Sequence, residues 1–170
     1  MQDANSTMPQ TLGDVARIQA KQRGDQIAFT FEGRATTFAE FDRNTNQVAN
    51  GLIAAGIEPG MRISYIGKNS DYYFELLIGA AKAGVVMTPV NWRLAPPEIV
   101  YILTDCRAQI LFVGGEFTGL VRGIAAELPT VKKYIAMEGG MPEWASYEGW
   151  RNAQSGKDPG MAVGRDDVAL

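Results

Sequence analysis

The sequence predicts an α/β fold in which a mainly parallel sheet is flanked by helices, with a small β-hairpin near the N-terminus. Three observations carry this reading. Four apolar runs, at 61–66, 85–90, 109–113 and 132–137, alternate with three stretches of helical periodicity. The run at 85–90 is almost unbroken apolar sequence, the pattern of a strand buried on both faces. Ahead of these, two β-rich runs at 27–31 and 34–37 flank Glu32-Gly33, a hairpin turn.

Taken in order, residues 1–10 are polar and read as a loose N-terminus, 11–165 as a single α/β subdomain, and 166–170 as the opening of a further strand. Thr11-Leu12-Gly13-Asp14 has the form of a helix start, with Leu12, Val15 and Ile18 along one face. Thr37-Phe38-Ala39-Glu40 is a second capping box. It opens a helix carrying Phe41, Val48, Ala49, Leu52 and Ile53 on one side, which Gly56 caps. Asn69 and Ser70 are both good N-caps for the next helix, where Phe74, Leu77, Ile78 and Ala81 fall on one apolar face. Gly79 inside that helix costs roughly 1 kcal/mol against alanine, which implies a packing reason. Gly84 sits where a left-handed cap belongs, and Pro89 belongs near the end of its strand. Pro96-Pro97-Glu98 starts a helix burying Ile99, Ile102, Leu103 and Cys106. Residues 117–128 read as helical and stop at Pro129. Gly139, Gly140 and Pro142 read as a loop, and Trp144, Tyr147 and Trp150 as a short amphipathic helix.

With 170 residues the chain can bury one core of ordinary size, and a net charge of −3 gives no reason to expect nucleic acid or an anionic membrane surface. No apolar run reaches the length of a transmembrane segment, and the N-terminus lacks a signal-peptide pattern. The single cysteine cannot form an internal disulfide, which fits a cytoplasmic location. There is no histidine, which removes the commonest general base and the usual metal ligand.

Several short patterns then match in order. Thr37-Phe38-Ala39-Glu40-Phe41 resembles T-[YF]-x-E-L, and 46–52 resembles N-x-x-A-x-x-L. Residues 56–63 resemble G-[VI]-x-x-G-D-R-V, with Met61 where Asp is usual. Asn69-Ser70, G-A-A-K-A-G-x-V at 79–86 and Pro89-Val90-Asn91-Trp92-Arg93-Leu94 follow. Together they resemble the N-terminal subdomain of the AMP-forming acyl-CoA ligases, within the adenylate-forming enzymes. The resemblance implies activation of a carboxylic, fatty-type acid with ATP and Mg²⁺ to an acyl-adenylate, then transfer to CoA. It also implies that the phosphate loop, the ribose aspartate and the catalytic lysine lie outside this stretch. On that reading this stretch holds no catalytic residue and no metal ligand, is inactive alone, binds no cofactor tightly, and contributes scaffold, a wall of the CoA channel and part of a homodimer surface.

Arg93 is the candidate binding residue. The resemblance implies contact with the nucleotide end of CoA, and a guanidinium on a carboxyl-end loop can fork onto phosphate oxygens. The alternative is an arginine bonding loop carbonyls or a surface acid. Asn91 reads as a loop-shaping residue and Trp92 as packing. Gly114-Gly115-x-x-x-Gly119 with Glu138 suggests a dinucleotide site only weakly, and turn formation accounts for the glycines better. Lys68, Lys132 and Lys133 read as solvated charges. A free-standing nucleotide-binding domain and a structural or oligomerising module remain the other function classes.

Overall fold

The computed structural model describes residues 8–138 and 141–170. The expected looseness of residues 1–7 and the loop at Gly139-Gly140 lie outside the described residues.

Two capping boxes start the first two long helices. Thr11 Oγ1 accepts the Asp14 N–H and Asp14 reaches back to the Thr11 N–H, opening α1 (Leu12–Arg23). Thr37 and Glu40 do the same for α2 (Phe38–Ala54). Between them β1 (Ile27–Phe31) and β2 (Arg34–Thr37) pair antiparallel. Their turn places Glu32 at φ 47° and Gly33 at φ 81°, the positive pair that a two-residue hairpin requires.

The main sheet contains β3 (Arg62–Ile66), β4 (Val86–Val90), β5 (Ile110–Val113), β6 (Lys133–Ala136) and β7 (Ala145–Ser146). Its order is β4-β3-β5-β6-β7 and every pairing is parallel. The two-residue β7 is a fifth strand with no counterpart in the sequence patterns, because two residues carry no readable period. Along β3 and β5 the side chains alternate between two cores. Ile63, Tyr65, Ile110 and Phe112 face α2, α3 (Asp71–Lys82) and α6 (Tyr147–Asn152). Ile66, Leu111 and Val113 face α4 (Pro96–Asp105) and α5 (Thr118–Ile124). Burial on both faces is the reason these strands read as continuous apolar runs. Pro89 is tolerated because β4 is an edge of this sheet and its missing N–H breaks no rung.

The apolar faces read from the sequence need correction in three helices. Leu12 and Val15 are exposed, and α1 buries Gly13 and Ala16 instead. The helix lies so close to α3 that a Cβ on Gly13 would stand 2.9 Å from Lys82 Cγ. In α2, Val48, Ala49 and Leu52 are fully buried, whereas Ile53 is exposed. In α3, Phe74 is 47% exposed while Leu76, Gly79 and Ala80 are buried together with the charged Glu75 and Lys82. That helix is covered by the sheet on one side and by α1 and α2 on the other, so part of its polar face is interior too. The stretch from 117 to 128 is not one helix: α5 is a short segment between two 3₁₀ turns.

Candidate functional site

In a parallel sheet the loops after the carboxyl ends of the strands are where ligands are met, above all where neighbouring loops leave toward opposite faces. Here the loop after β3 leads to α3 on one face. The loops after its neighbours β4 and β5 lead to α4 and α5 on the other. Residues 67–70 therefore stand as a ridge between two crevices.

The crevice on the β4 side has a volume of about 390 Å³ and is lined by Gly67, Lys68, Asn69, Asn91, Trp92 and Arg93, with Tyr65 and Tyr73 at its base. The one on the β5 side, about 450 Å³, is lined by Phe31, Glu32, Lys68, Glu116, Phe117 and Glu138, among others. Lys68 and Asn69 border both.

Local chemistry sets the shape of these loops. Ser70 caps α3 by accepting the Tyr73 N–H at 3.2 Å. The Tyr65 hydroxyl donates to the Lys68 carbonyl and ties the ridge to β3. Burial pushes that phenol well above the ordinary tyrosine range. A Cβ at Gly67 would overlap the Tyr65 side chain, so only glycine fits there. On the β4 side, the Arg93 N–H donates to Asn91 Oδ1 at 3.0 Å, an Asx-type turn. The Arg93 guanidinium lies 4.1 Å from the Trp92 ring centre, and the Trp92 ring packs on Phe117 at 5.5 Å. Arg93 makes no ion pair with any described residue.

Arg93, Asn91 and Trp92 thus come together, and Lys68, which reads as a solvated charge, joins them. Its ammonium is 2.7 Å from Glu116 and 5.8 Å from the Trp92 ring centre. No periodicity signals these meetings, because loops after different strands create them, Lys68 and Glu116 being 48 residues apart. Gly115 and Glu138 also meet, the Gly115 N–H donating to Glu138 Oε2 at 3.3 Å. The glycines here serve close approach rather than a left-handed turn. A Cβ on Gly114 would stand 3.2 Å from Gly67 Cα, and one on Gly115 2.9 Å from the Glu138 carbonyl. Cys106 is half-buried, its thiol donating to the Leu103 carbonyl. Asp166 and Asp167 stand in a turn, with Asp167 Oδ2 accepting the Gly164 N–H at 2.7 Å. Just beyond it, the Met87 N–H of β4 donates to the Ala169 carbonyl at 3.0 Å.

Among the described residues no group of three or more His, Cys, Asp or Glu side chains is placed to hold a metal ion. No helix among them is long and apolar enough to cross a membrane.

Comparison with known proteins agrees with this architecture. The sequence profile of the family described as AMP-binding enzyme matches residues 16–170. A fatty acid–[acyl-carrier-protein] ligase, ScoC, of Streptomyces coeruleorubidus is 36% identical over 88% of this chain and 27% of its own length. A feruloyl-CoA synthase of an Amycolatopsis species is 34% identical over 95% of this chain and 30% of its own. Among solved structures, the anthranilate CoA ligase AuaEII with anthranoyl-AMP superposes with a TM-score of 0.87 at 28% identity, over 95% of this chain and 32% of that one. The N-terminal domain of FACL13 from Mycobacterium tuberculosis gives a TM-score of 0.84 at 27% identity, over 92% and 39%. The chain therefore spans about three tenths of the length of the curated relatives it matches. With the profile covering nearly all of it and the sheet and helices superposing throughout, the chain belongs to the AMP-binding enzyme family.

Proposed function

We propose that this chain is part of an AMP-forming acid–thiol ligase that activates a carboxylic acid, fatty or aromatic, with ATP and transfers it to CoA. The carboxylate oxygen attacks the ATP α-phosphorus and pyrophosphate leaves. The CoA sulfur then attacks the acyl carbon and AMP leaves. Mg²⁺ would neutralise the phosphates when bound. The described residues offer no group of three or more acidic, His or Cys side chains to hold it.

The observation that carries the reading is the β4-side crevice. It opens at the carboxyl ends of the strands, has no carboxylate in its lining, and presents an Arg93 free of any ion partner among the described residues. That is a setting for the phosphates of the nucleotide end of CoA. Asn91 shapes the loop through its bond to the Arg93 N–H. The relatives named above support the substrate class, since their names give fatty, ferulic and anthranilic acids. A cytoplasmic location and a homodimer contact belong to the same proposal. The lone cysteine supports the first, and light scattering tests the second.

The test is acid-dependent ATP–pyrophosphate exchange and thioester formation by the ligase that carries this segment, across a panel of fatty and aromatic acids. Arg93→Ala is expected to raise the KM for CoA and leave the exchange reaction intact. An unchanged KM rejects the role of Arg93. The 170-residue chain alone is expected to release no pyrophosphate from ATP.

A further inference from the structure

We infer that Lys68 is an anion-binding residue that exchanges Glu116 for a ligand phosphate, completing with Arg93 and Trp92 a two-cation cradle in the β4-side crevice. The inference rests on the reading of that crevice as a phosphate site, and adds to it a residue from the loop after a different strand and a carboxylate that competes for it.

Topology puts Lys68 on the ridge between the two crevices, so its side chain borders both. The two differ sharply in charge. The β5-side crevice holds three carboxylates, Glu32, Glu116 and Glu138, against the single cation. The β4-side crevice holds Lys68 and Arg93 and no carboxylate. A phosphate-bearing ligand is repelled from the first and attracted to the second. Lys68 lies 2.7 Å from Glu116 and 5.8 Å from the centre of the Trp92 ring, within reach of both. Arg93 already lies on that ring. The indole is thus a shared platform, and Phe117, the residue after Glu116, packs against it.

The Lys68–Glu116 pair is well exposed, with side chains 56% and 66% accessible. Exposed pairs of this kind contribute little, so a phosphate can displace the carboxylate at small cost. A lysine ammonium is a flexible point charge suited to such an exchange, whereas Arg93 is held by its stacking. The ligand chemistry is a phosphate or diphosphate group, carried on a nucleotide or free.

The experiment titrates the 170-residue chain with adenosine 3′,5′-bisphosphate and, separately, inorganic pyrophosphate. Binding is read by calorimetry at low and at moderate salt. Saturable binding is expected, weakened about tenfold in Lys68→Ala, the worth of one charge-assisted contact. Glu116→Gln removes the competitor and is expected to tighten binding about threefold while leaving thermal unfolding unchanged. Tighter binding of the bisphosphate than of pyrophosphate identifies a nucleotide end as the ligand, and equal binding identifies the phosphates alone. No saturable binding by the unaltered chain overturns the proposal. So does weakening in Arg93→Ala with none in Lys68→Ala, an outcome that leaves Arg93 as a phosphate contact. The ligase reading is judged separately, by pyrophosphate exchange.

Discussion

Arg151 Nη1 lies 2.5 Å from Glu75 Oε2, and both side chains are buried, one on α6 and the other in the middle of α3. The same carboxylate accepts the Tyr147 hydroxyl at 3.0 Å and the Asn44 amide at 2.7 Å, so one acid joins α2, α3 and α6. Burial, reinforced by the neighbouring Glu75 charge, holds the Tyr147 phenol well above its ordinary pKa. Removing the acid leaves a buried guanidinium uncompensated, so Glu75→Ala is expected to destabilise the chain by about 3–5 kcal/mol. Urea unfolding at neutral pH measures it, and a loss below about 1 kcal/mol would show that the network does not hold α6.

Lys82 supplies a second buried charge. Its ammonium bonds Asp42 Oδ1 at 2.6 Å and Asn46 Oδ1 at 2.7 Å, and the side chain has no exposure. Asp42 retains some access to water. The two partners are therefore unequal. Asp42→Asn strands a buried cation and is expected to cost about 3 kcal/mol. Lys82→Met keeps the stem packed, lets Asp42 turn to solvent, and is expected to cost only about 1–2 kcal/mol. Equal losses in the two variants would contradict this asymmetry. Burial lowers the Lys82 pKa, opposed by Asp42, so the folded state binds this proton less readily than the unfolded chain. Its contribution to stability accordingly rises as pH rises toward the ordinary lysine value of 10.5.

Gly79 shows where helix propensity yields to packing. A Cβ there would stand 2.5 Å from Val48 Cβ and 2.9 Å from the Thr45 carbonyl. Gly79→Ala gains about 1 kcal/mol of helix propensity, yet forces α2 and α3 apart at a typical overpacking cost of about 1–3 kcal/mol. Net destabilisation is expected in thermal unfolding. Gly119→Ala, with nothing within 4 Å of the added carbon, is the control and is expected to be neutral or stabilising.

Glu40 and Asp158 are among the carboxyl groups that link stability to acid. The Thr37 backbone N–H, then its hydroxyl, hold Glu40 below its ordinary value of 4.5. The Arg17 guanidinium, at 2.5 Å, holds Asp158 below 3.8. Folded values below unfolded ones give stability that is complete above those ordinary values and lost as pH falls through the lowered ones. The urea midpoint is therefore expected to be level down to about pH 5 and to drop below about pH 4. Asp158→Asn should remove part of that drop, and an unchanged acid profile would show that Asp158 takes no share in it.

Much of the fold was legible because the signals are local. Thr11, Thr37 and Ser70 cap the helices they precede, and Gly33, Gly56 and Gly84 have positive φ at turns and helix ends. The parallel sheet was readable from apolar runs buried on both faces. Arg93 and Asn91 could be singled out by their motif and their place after a strand. Their common crevice could not, since its second wall comes from the loop after β3.

The local sequence suffices for the α/β class, for the four longer strands of the sheet and for the caps of the long helices, because backbone sterics and period act over a few residues; the two-residue β7 and the broken helix at 117–128 are too short for that signal. Which helix faces are interior follows from tertiary packing. Leu12 and Phe74 stand exposed while Lys82 and Glu75 are buried, because α1, α2 and α3 pack on one another as well as on the sheet. The tertiary structure also decides that Lys68 meets Glu116 and Trp92. Such meetings depend on strand order and on which face each connection crosses, and a list of residues in chain order contains neither.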